Sequence, residues 1–186
     1  MLNIAIYSGS FNPLHIGHLA IIKHMIEEAG FDMVYLIVSP KNPLKDGISA
    51  ATGHDRYLAA QEAVNRHFRI KVKVDDIELN MPEPHYTVRT LRALKEREPE
   101  NTFTFVMGAD NLADIRRWRE YAAILKDFGV AVFPRTGHDL TQIKQDLLNE
   151  DPAYKIQILD AQMVDISSTQ IRNAIANGDD ITAYLM

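Results

Sequence analysis

The sequence predicts an α/β fold, a mostly parallel sheet with helices on both faces. Three observations predict it. Met33 to Val38, M-V-Y-L-I-V, is an unbroken apolar run, which suits a strand covered on both sides. Leu2 to Tyr7, a helical pattern over Ile16 to Ala29, and that run follow one another as strand, helix and strand. That is one βαβ unit, whose crossover should be right-handed. A strand running into a glycine turn that opens a helix occurs twice, after Tyr7 and again after Met107.

The elements follow in order. Leu2 to Tyr7 is a buried first strand, and Ser8 to His18, S-G-S-F-N-P-L-H-I-G-H, is the turn behind it. Gly9 should let the chain turn tightly there, and Asn12-Pro13 should close the turn just before the helix. Gly30 is the expected cap of the first helix. Residues 39–53, with Pro40 and Pro43, form a loop at the carboxyl end of the second strand, where open sheets carry ligands. His54 to His67 is helical, with Arg56 in its first turn. Ile70 to Val74 alternates with Lys71 and Lys73 as a more exposed strand, and Asp75 to Pro84 is irregular. Tyr86 to Arg97 is an amphipathic helix whose core stripe is Val88, Leu91 and Leu94. Thr102 to Met107 is a strand, and Gly108-Ala109-Asp110-Asn111 turns from it into a helix. Tyr121 to Phe128 is a short helix ended by Gly129, and Val130 to Phe133 a strand that leaves through Pro134-Arg135. Leu140 to Asn149 is a helix, Lys155 to Leu159 a last strand, Ser167 to Asn177 a helix stopped by Gly178, and Asp180 to Leu185 a final helical turn.

The whole chain sets bounds. At 186 residues it suits one domain, 1–186. There is no cysteine, hence no disulfide framework and no thiolate metal site. That permits a reducing compartment, and the cytoplasm is the expected one. No apolar run reaches the roughly 18 residues needed to span a bilayer, and no basic region precedes the first strand, so neither a membrane anchor nor a signal peptide is expected. The formal net charge of −5 speaks against a general nucleic-acid binder, so any polyanion must be held by a local site. Oligomeric state is left open, a homo-oligomer included.

Two motifs carry the chemistry. A helix N-terminus after the first strand offers unpaired N–H groups and a positive dipole end, both suited to phosphate. His15 and His18 are three apart and share a face, with Gly17 between them. They either cap the helix or aim donors at a polyanion. The fingerprints G-x-G-x-x-G and G-K-[ST] are absent, so this is neither the common dinucleotide turn nor a P-loop. Near the other end, Ser167, Ser168 and Thr169 open a helix, and Arg172 leans back over its first turn. That is either an ordinary capped helix with a surface arginine or a clamp for phosphate oxygens. Asp110 is either a cap or a ligand. Trp118 stands among charged residues, which favours partial exposure and stacking. Lys41 and Lys45 are either solvated or part of an arm that closes on phosphates. No covalent nucleophile and no carboxylate cage for a metal stands out.

G-S-F-N-P-x-H-x-G-H and I-S-S-T-x-I-R, in that order, resemble the two signatures of nucleotidyltransferases that attack the α-phosphate of a nucleoside triphosphate. With Tyr86-Thr87-x-x-Thr90-Leu91, Met107-Gly108-Ala109-Asp110-Asn111-Leu112, Trp118 and Pro134-Arg135 between them, the chain resembles the bacterial nicotinate-nucleotide adenylyltransferases from Ile4 to about Ile175. The resemblance implies a Rossmann-like, doubly wound fold, and transfer of AMP from ATP to nicotinate mononucleotide with Mg²⁺ brought on the ATP. It implies His15, His18 and Arg172 as catalytic groups. For ATP it implies these three with Gly9, Ser10, Phe11, Asp110, Arg135, Ser168 and Thr169. For the mononucleotide it implies Ser10, Phe11, Lys45, Thr87, Gly108, Asp110, Trp118 and Arg119, with the indole on the pyridine ring and a free backbone N–H near Trp118 and Arg119 for the carboxylate. Asn12 departs from the usual aspartate, and the family's P-P-H-K loop is here Pro40-Lys41-Asn42-Pro43-Leu44-Lys45. Same-class alternatives are the nicotinamide-mononucleotide and phosphopantetheine adenylyltransferases. A binding module that keeps the fold without catalysis would be expected to lose His18 or Arg172, and both are present.

Overall fold

In a computed structural model, residues 1–40, 52–68, 71–161 and 166–186 are described. The strands are β1 (Asn3–Gly9), β2 (Met33–Val38), β3 (Val72–Asp75), β4 (Thr102–Gly108), β5 (Val130–Phe133) and β6 (Ile156–Ile158). They form one sheet in the order β3-β2-β1-β4-β5-β6, and every neighbouring pair is parallel. The order runs outward from β1 in one direction and then, from β4, in the other. At such a reversal the connections leave the sheet on opposite sides and a crevice opens beyond the strand ends. β1 and β4 flank that reversal, and both strands that end in a glycine turn are these two.

Side chains alternate along β1. Ile4 and Ile6 are fully buried on one face, Ala5 and Tyr7 on the other. The first face packs on α3 (Thr87–Arg97), α4 (Ala109–Ala113), α6 (Leu140–Glu150) and the helical segment α5 (Tyr121–Phe128), whose last five residues wind as a π-turn. The second face packs on α1 (Ile16–Glu27) and α2 (Gly53–His67). Helices therefore cover both faces, as the unbroken apolar run of β2 requires. Val88, Leu91 and Leu94 of α3 have no exposure, so the expected stripe is the buried one. Each such side chain contributes roughly 1.5–3 kcal/mol on burial.

β1 runs two residues past the predicted end, because Ser8 and Gly9 still pair with Ile37 and Val38. The chain does not turn at Gly9. The positive φ belongs to Phe11, at +45°, whose ring folds back onto Gly9. A Cβ on Gly9 would meet that ring at 3.1 Å, so the glycine makes room for Phe11. The last helix, α7 (Ser168–Asn177), ends at Gly178 with φ +78°. Beyond it the chain makes a single 3-10 turn, Thr182–Tyr184, and Leu185 forms an antiparallel bridge with His15. Among the described residues, no helix is long and apolar enough to cross a membrane.

Candidate active site

The first helix start is built by its own histidines. His15 is the N-cap of α1, in extended conformation, and His18 sits in the first turn. The His15 amide donates to Nδ1 of His18 at 3.1 Å, and the Gly17 amide donates to Nδ1 of His15 at 3.1 Å. The ring centroids lie 3.7 Å apart. Each ring accepts at Nδ1, so its hydrogen sits on Nε2, the end left free. Capping and donation, posed as alternatives from the sequence, are thus two ends of the same rings. Burial lowers the His15 imidazole to about 4, with the Arg135 charge adding to the fall. Burial also lowers His18 to about 3, with His15 and then Arg135 adding. Both rings are neutral donors near pH 7.

The two distant signatures meet. Arg172 donates from Nη1 to the Asn12 carbonyl at 2.7 Å and from Nη2 to the Thr169 hydroxyl at 3.1 Å. The Ser168 hydroxyl donates to the Pro13 carbonyl at 3.3 Å. Ser167 caps α7, accepting from the Gln170 amide at 3.2 Å. The result is a cavity of about 230 Å³ lined by Ser10, His15, His18 and Arg135 on one side and Ser167, Ser168 and Thr169 on the other. Arg172 is not part of its wall. One of its five N–H groups joins the α7 start to the Asn12-Pro13 turn and a second holds Thr169.

A second cavity, of about 500 Å³, opens beside β4 and is lined by Thr87, Gly108, Asn111 and Trp118, with Glu78 and His85. Trp118 is half-buried, its ring edge-on to Phe105 at 5.9 Å, so it belongs partly to the core and partly to this wall. Tyr7, Phe133 and Arg135 line both cavities. Asp110 makes no cap; Gly108 occupies the N-cap position of α4. The carboxylate instead points toward Arg135, with Oδ1 3.9 Å from Nε. A Cβ at Gly108 would come within 2.5 Å of that oxygen.

A family model described as cytidylyltransferase-like matches residues 6–174. A Flavobacterium johnsoniae protein named probable nicotinate-nucleotide adenylyltransferase is 39% identical over 188 residues, covering 99% of this chain and 92% of its own length. A Bacteroides fragilis protein of the same name is 36% identical over 182 residues, covering 97% and 85%. The chain belongs to the nicotinate-nucleotide adenylyltransferase family. The fold agrees with a Plasmodium falciparum nicotinic acid mononucleotide adenylyltransferase solved with NaAD, at a TM-score of 0.78 and 23% identity over 100% of this chain and 91% of that one. A Vibrio parahaemolyticus relative gives 0.67, also at 23%, over 100% and 94%.

Within this family frame, the residues the motifs singled out divide in three. Ser10, His15, His18, Arg135, Ser168 and Thr169 line the first cavity, and Thr87, Gly108, Trp118 and Arg135 the second. Gly9, Phe11 and Arg172 stand behind the walls as support, Phe11 with only 4% exposure. Asp110 and Arg119 are exposed and outside both linings. Of the N–H groups near Trp118 and Arg119 among which a free donor is expected, that of Trp118 donates to the Ile115 carbonyl at 2.9 Å at the end of a 3-10 turn. Lys41 and Lys45 lie outside the described residues. The sequence reading named Arg56 without a role. It is buried, and its Nη1 donates to the carbonyls of Ser10 at 2.7 Å and Ser39 at 2.9 Å, tying the ends of β1 and β2 together. Its place in the first turn of a helix directly behind the loop 39–53 was the available signal.

Proposed function

We propose that the protein transfers AMP from ATP to nicotinate mononucleotide, giving deamido-NAD and pyrophosphate. What supports this reading above all is the pair of cavities at the β1/β4 reversal that share Tyr7, Phe133 and Arg135 as a common wall. A triphosphate in the first cavity and a mononucleotide in the second bring the α-phosphorus and the 5′-phosphate to that wall. The 5′-phosphate oxygen attacks the α-phosphorus in line. A phosphorus–oxygen bond forms, the bond to the β-phosphate breaks, and pyrophosphate leaves with the negative charge.

The attacking oxygen is already anionic, so no base and no covalent nucleophile is required. The protein's part is positioning and charge stabilisation. His15 and His18 donate from Nε2, Thr169 offers its hydroxyl, the α7 start offers its first amides, and Arg135 supplies the positive charge at the junction. Arg172 holds the two signatures in register. In phosphate and acyl transfer, one such preorganised donor is worth about 10²–10³ in rate. Among the described residues, no group of three or more His, Asp or Glu side chains stands close enough to cage a metal. Mg²⁺ would come with the ATP and would spread the charge of its phosphates. Trp118 stacks the pyridine ring, and Thr87 binds at its edge.

The experiment is pyrophosphate release from ATP and Mg²⁺ with nicotinate mononucleotide or its amide as acceptor. The acid should be the much better substrate. Equal rates on the two would remove the acid preference, and no release with either would remove the whole reading.

A further inference from the structure

Tyr7 stands on the α1 face of β1 and packs against three other rings. It lies edge-on to Phe11 at 5.6 Å and to Phe133 at 6.2 Å, and tilted to His18 at 6.0 Å. Two of these neighbours are phenylalanines, and a phenylalanine at position 7 would fill the box as well. What tyrosine adds is one hydroxyl. The residue keeps only 8% exposure. Among the described residues, no hydrogen bond takes up that hydroxyl, yet no buried side-chain oxygen lacks a partner. The oxygen is therefore not sealed in the core. It opens into the space that the residue lines, which is both cavities. An unpaired hydroxyl at the edge of an apolar box costs free energy unless a ligand accepts from it.

The rest of the shared wall suits a phosphate. Arg135 lies over the Phe133 ring, its guanidinium carbon 5.0 Å from the centroid, so the cation is held against the same aromatic group. The His18 ring, with Nε2 free to donate, stands beside Tyr7. Burial holds the Tyr7 phenol above its ordinary value, with the Arg135 charge opposing part of the rise. The hydroxyl therefore keeps its hydrogen through the neutral range and is a donor without charge. The β- and γ-phosphates stay in the first cavity, and the ribose and pyridine of the acceptor stay in the second. One group is reached from both, the α-phosphoryl that passes between them. On the adenylyl-transfer reading of the two cavities, on which this rests, we propose that Tyr7 is a catalytic residue whose hydroxyl donates to a non-bridging oxygen of the α-phosphoryl group. That oxygen gathers charge while phosphorus is five-coordinate, which is where a preorganised donor has most effect.

The test is Tyr7→Phe in the full chain, with ATP, Mg²⁺ and nicotinate mononucleotide. The change removes the hydroxyl and keeps the ring. The kcat for pyrophosphate release should fall about 10²-fold, the low end for one preorganised donor. KM for each substrate should stay within about threefold, because the bond is strongest in the transition state. The denaturant midpoint should not fall, since no protein group loses a partner. Sulfur at a non-bridging α-position accepts a hydrogen bond poorly. With ATPαS, the rate penalty of the diastereomer whose sulfur faces Tyr7 should therefore be smaller in Tyr7→Phe than in the wild type. A kcat within about twofold of the wild type, a change confined to KM, a lowered midpoint, or the same sulfur penalties in both proteins would each overturn the inference. Wild-type turnover in the same assay leaves the function standing in all four cases. Absence of wild-type turnover with either acceptor overturns both.

Discussion

Gly17→Ala sets two effects against each other. Gly17 lies in the first turn of α1, and its φ is not positive, so alanine is allowed there. On helix propensity alone the change should stabilise by about 0.5–1 kcal/mol. The new methyl would, however, stand 2.9 Å from Cε1 and 3.0 Å from Nδ1 of His15, and 3.4 Å from Cγ2 of Ile166. Restoring an ordinary contact of 3.4 Å from 2.9 Å moves the imidazole about 0.5 Å. The ring cannot move alone. It accepts from the Gly17 amide at 3.1 Å, and its centroid is 3.7 Å from that of His18. Loss of that capping bond costs about 1 kcal/mol, which cancels the propensity gain. Stability should therefore stay within about 1 kcal/mol of the wild type. Rate should not. A 1 Å misplacement costs on the order of 10²-fold, so half of that displacement predicts about tenfold per ring and roughly a hundredfold if both rings follow. Pyrophosphate release beside a denaturant melt reads both quantities. Activity within twofold of wild type would show that the histidine geometry is not what the reaction uses.

Other outcomes follow from the same contacts. His18→Ala should lose far more rate than Lys41→Ala; similar activity in the two would refute the role given to the imidazole. Arg56→Leu removes two charge-assisted bonds to the Ser10 and Ser39 carbonyls and should cost about 2–4 kcal/mol in a denaturant melt; a cost under about 0.5 kcal/mol, the range of ordinary surface changes, would show that the clamp is idle. The folded imidazoles sit at about 4 and about 3 against 6.5 unfolded, so between those values the unfolded chain binds more protons. Their contribution to stability is then complete above about pH 6.5 and falls as the pH drops, by up to about 1.4 kcal/mol per unit for each ring. His18→Asn should flatten the pH dependence of unfolding between pH 7 and 5, and an unaltered slope would contradict the burial of a neutral ring.

Periodicity made the sheet and most helices legible. The stripe Val88, Leu91 and Leu94 and the run Met33 to Val38 each name a buried face by spacing alone, and both faces are the buried ones. What spacing could not give was who touches whom. Gly9 reads as a turn residue, yet the turn is at Phe11, because the glycine's task is set by a ring folding back from two residues ahead. Asp110 reads as either a cap or a ligand; it is not the cap, and its carboxylate lies 3.9 Å from Arg135, which β5 brings alongside. The resemblance implies a free N–H near Trp118 and Arg119, and that of Trp118 is consumed by a 3-10 bond. The bridge between Leu185 and His15 has no sequence signal at all, since one residue on each strand makes no pattern.

The same limit explains Arg172. Three residues after Thr169, it reads as a phosphate ligand, since a guanidinium at a helix start points over the first turn. It does reach Thr169. Its second bond goes to Asn12, 160 residues away, and this alters the argument for why both signatures are needed. Two helix starts attract one polyanion only if something fixes their spacing, for each is an isolated dipole end that a loop could carry away. Arg172 at Asn12 and Ser168 at Pro13 supply that spacing from α7, while Arg56 supplies it from α2 by holding Ser10. The turn after β1 is therefore held from two sides, by Arg172 and Ser168 of α7 and by Arg56 of α2. Among the described residues, Arg135 is the one cation lining a site otherwise made of amides, hydroxyls and neutral imidazoles, so its selectivity for a triphosphate depends on distance. Rigidity at that turn is the property the fold supplies, and the histidines can act as donors only because it does.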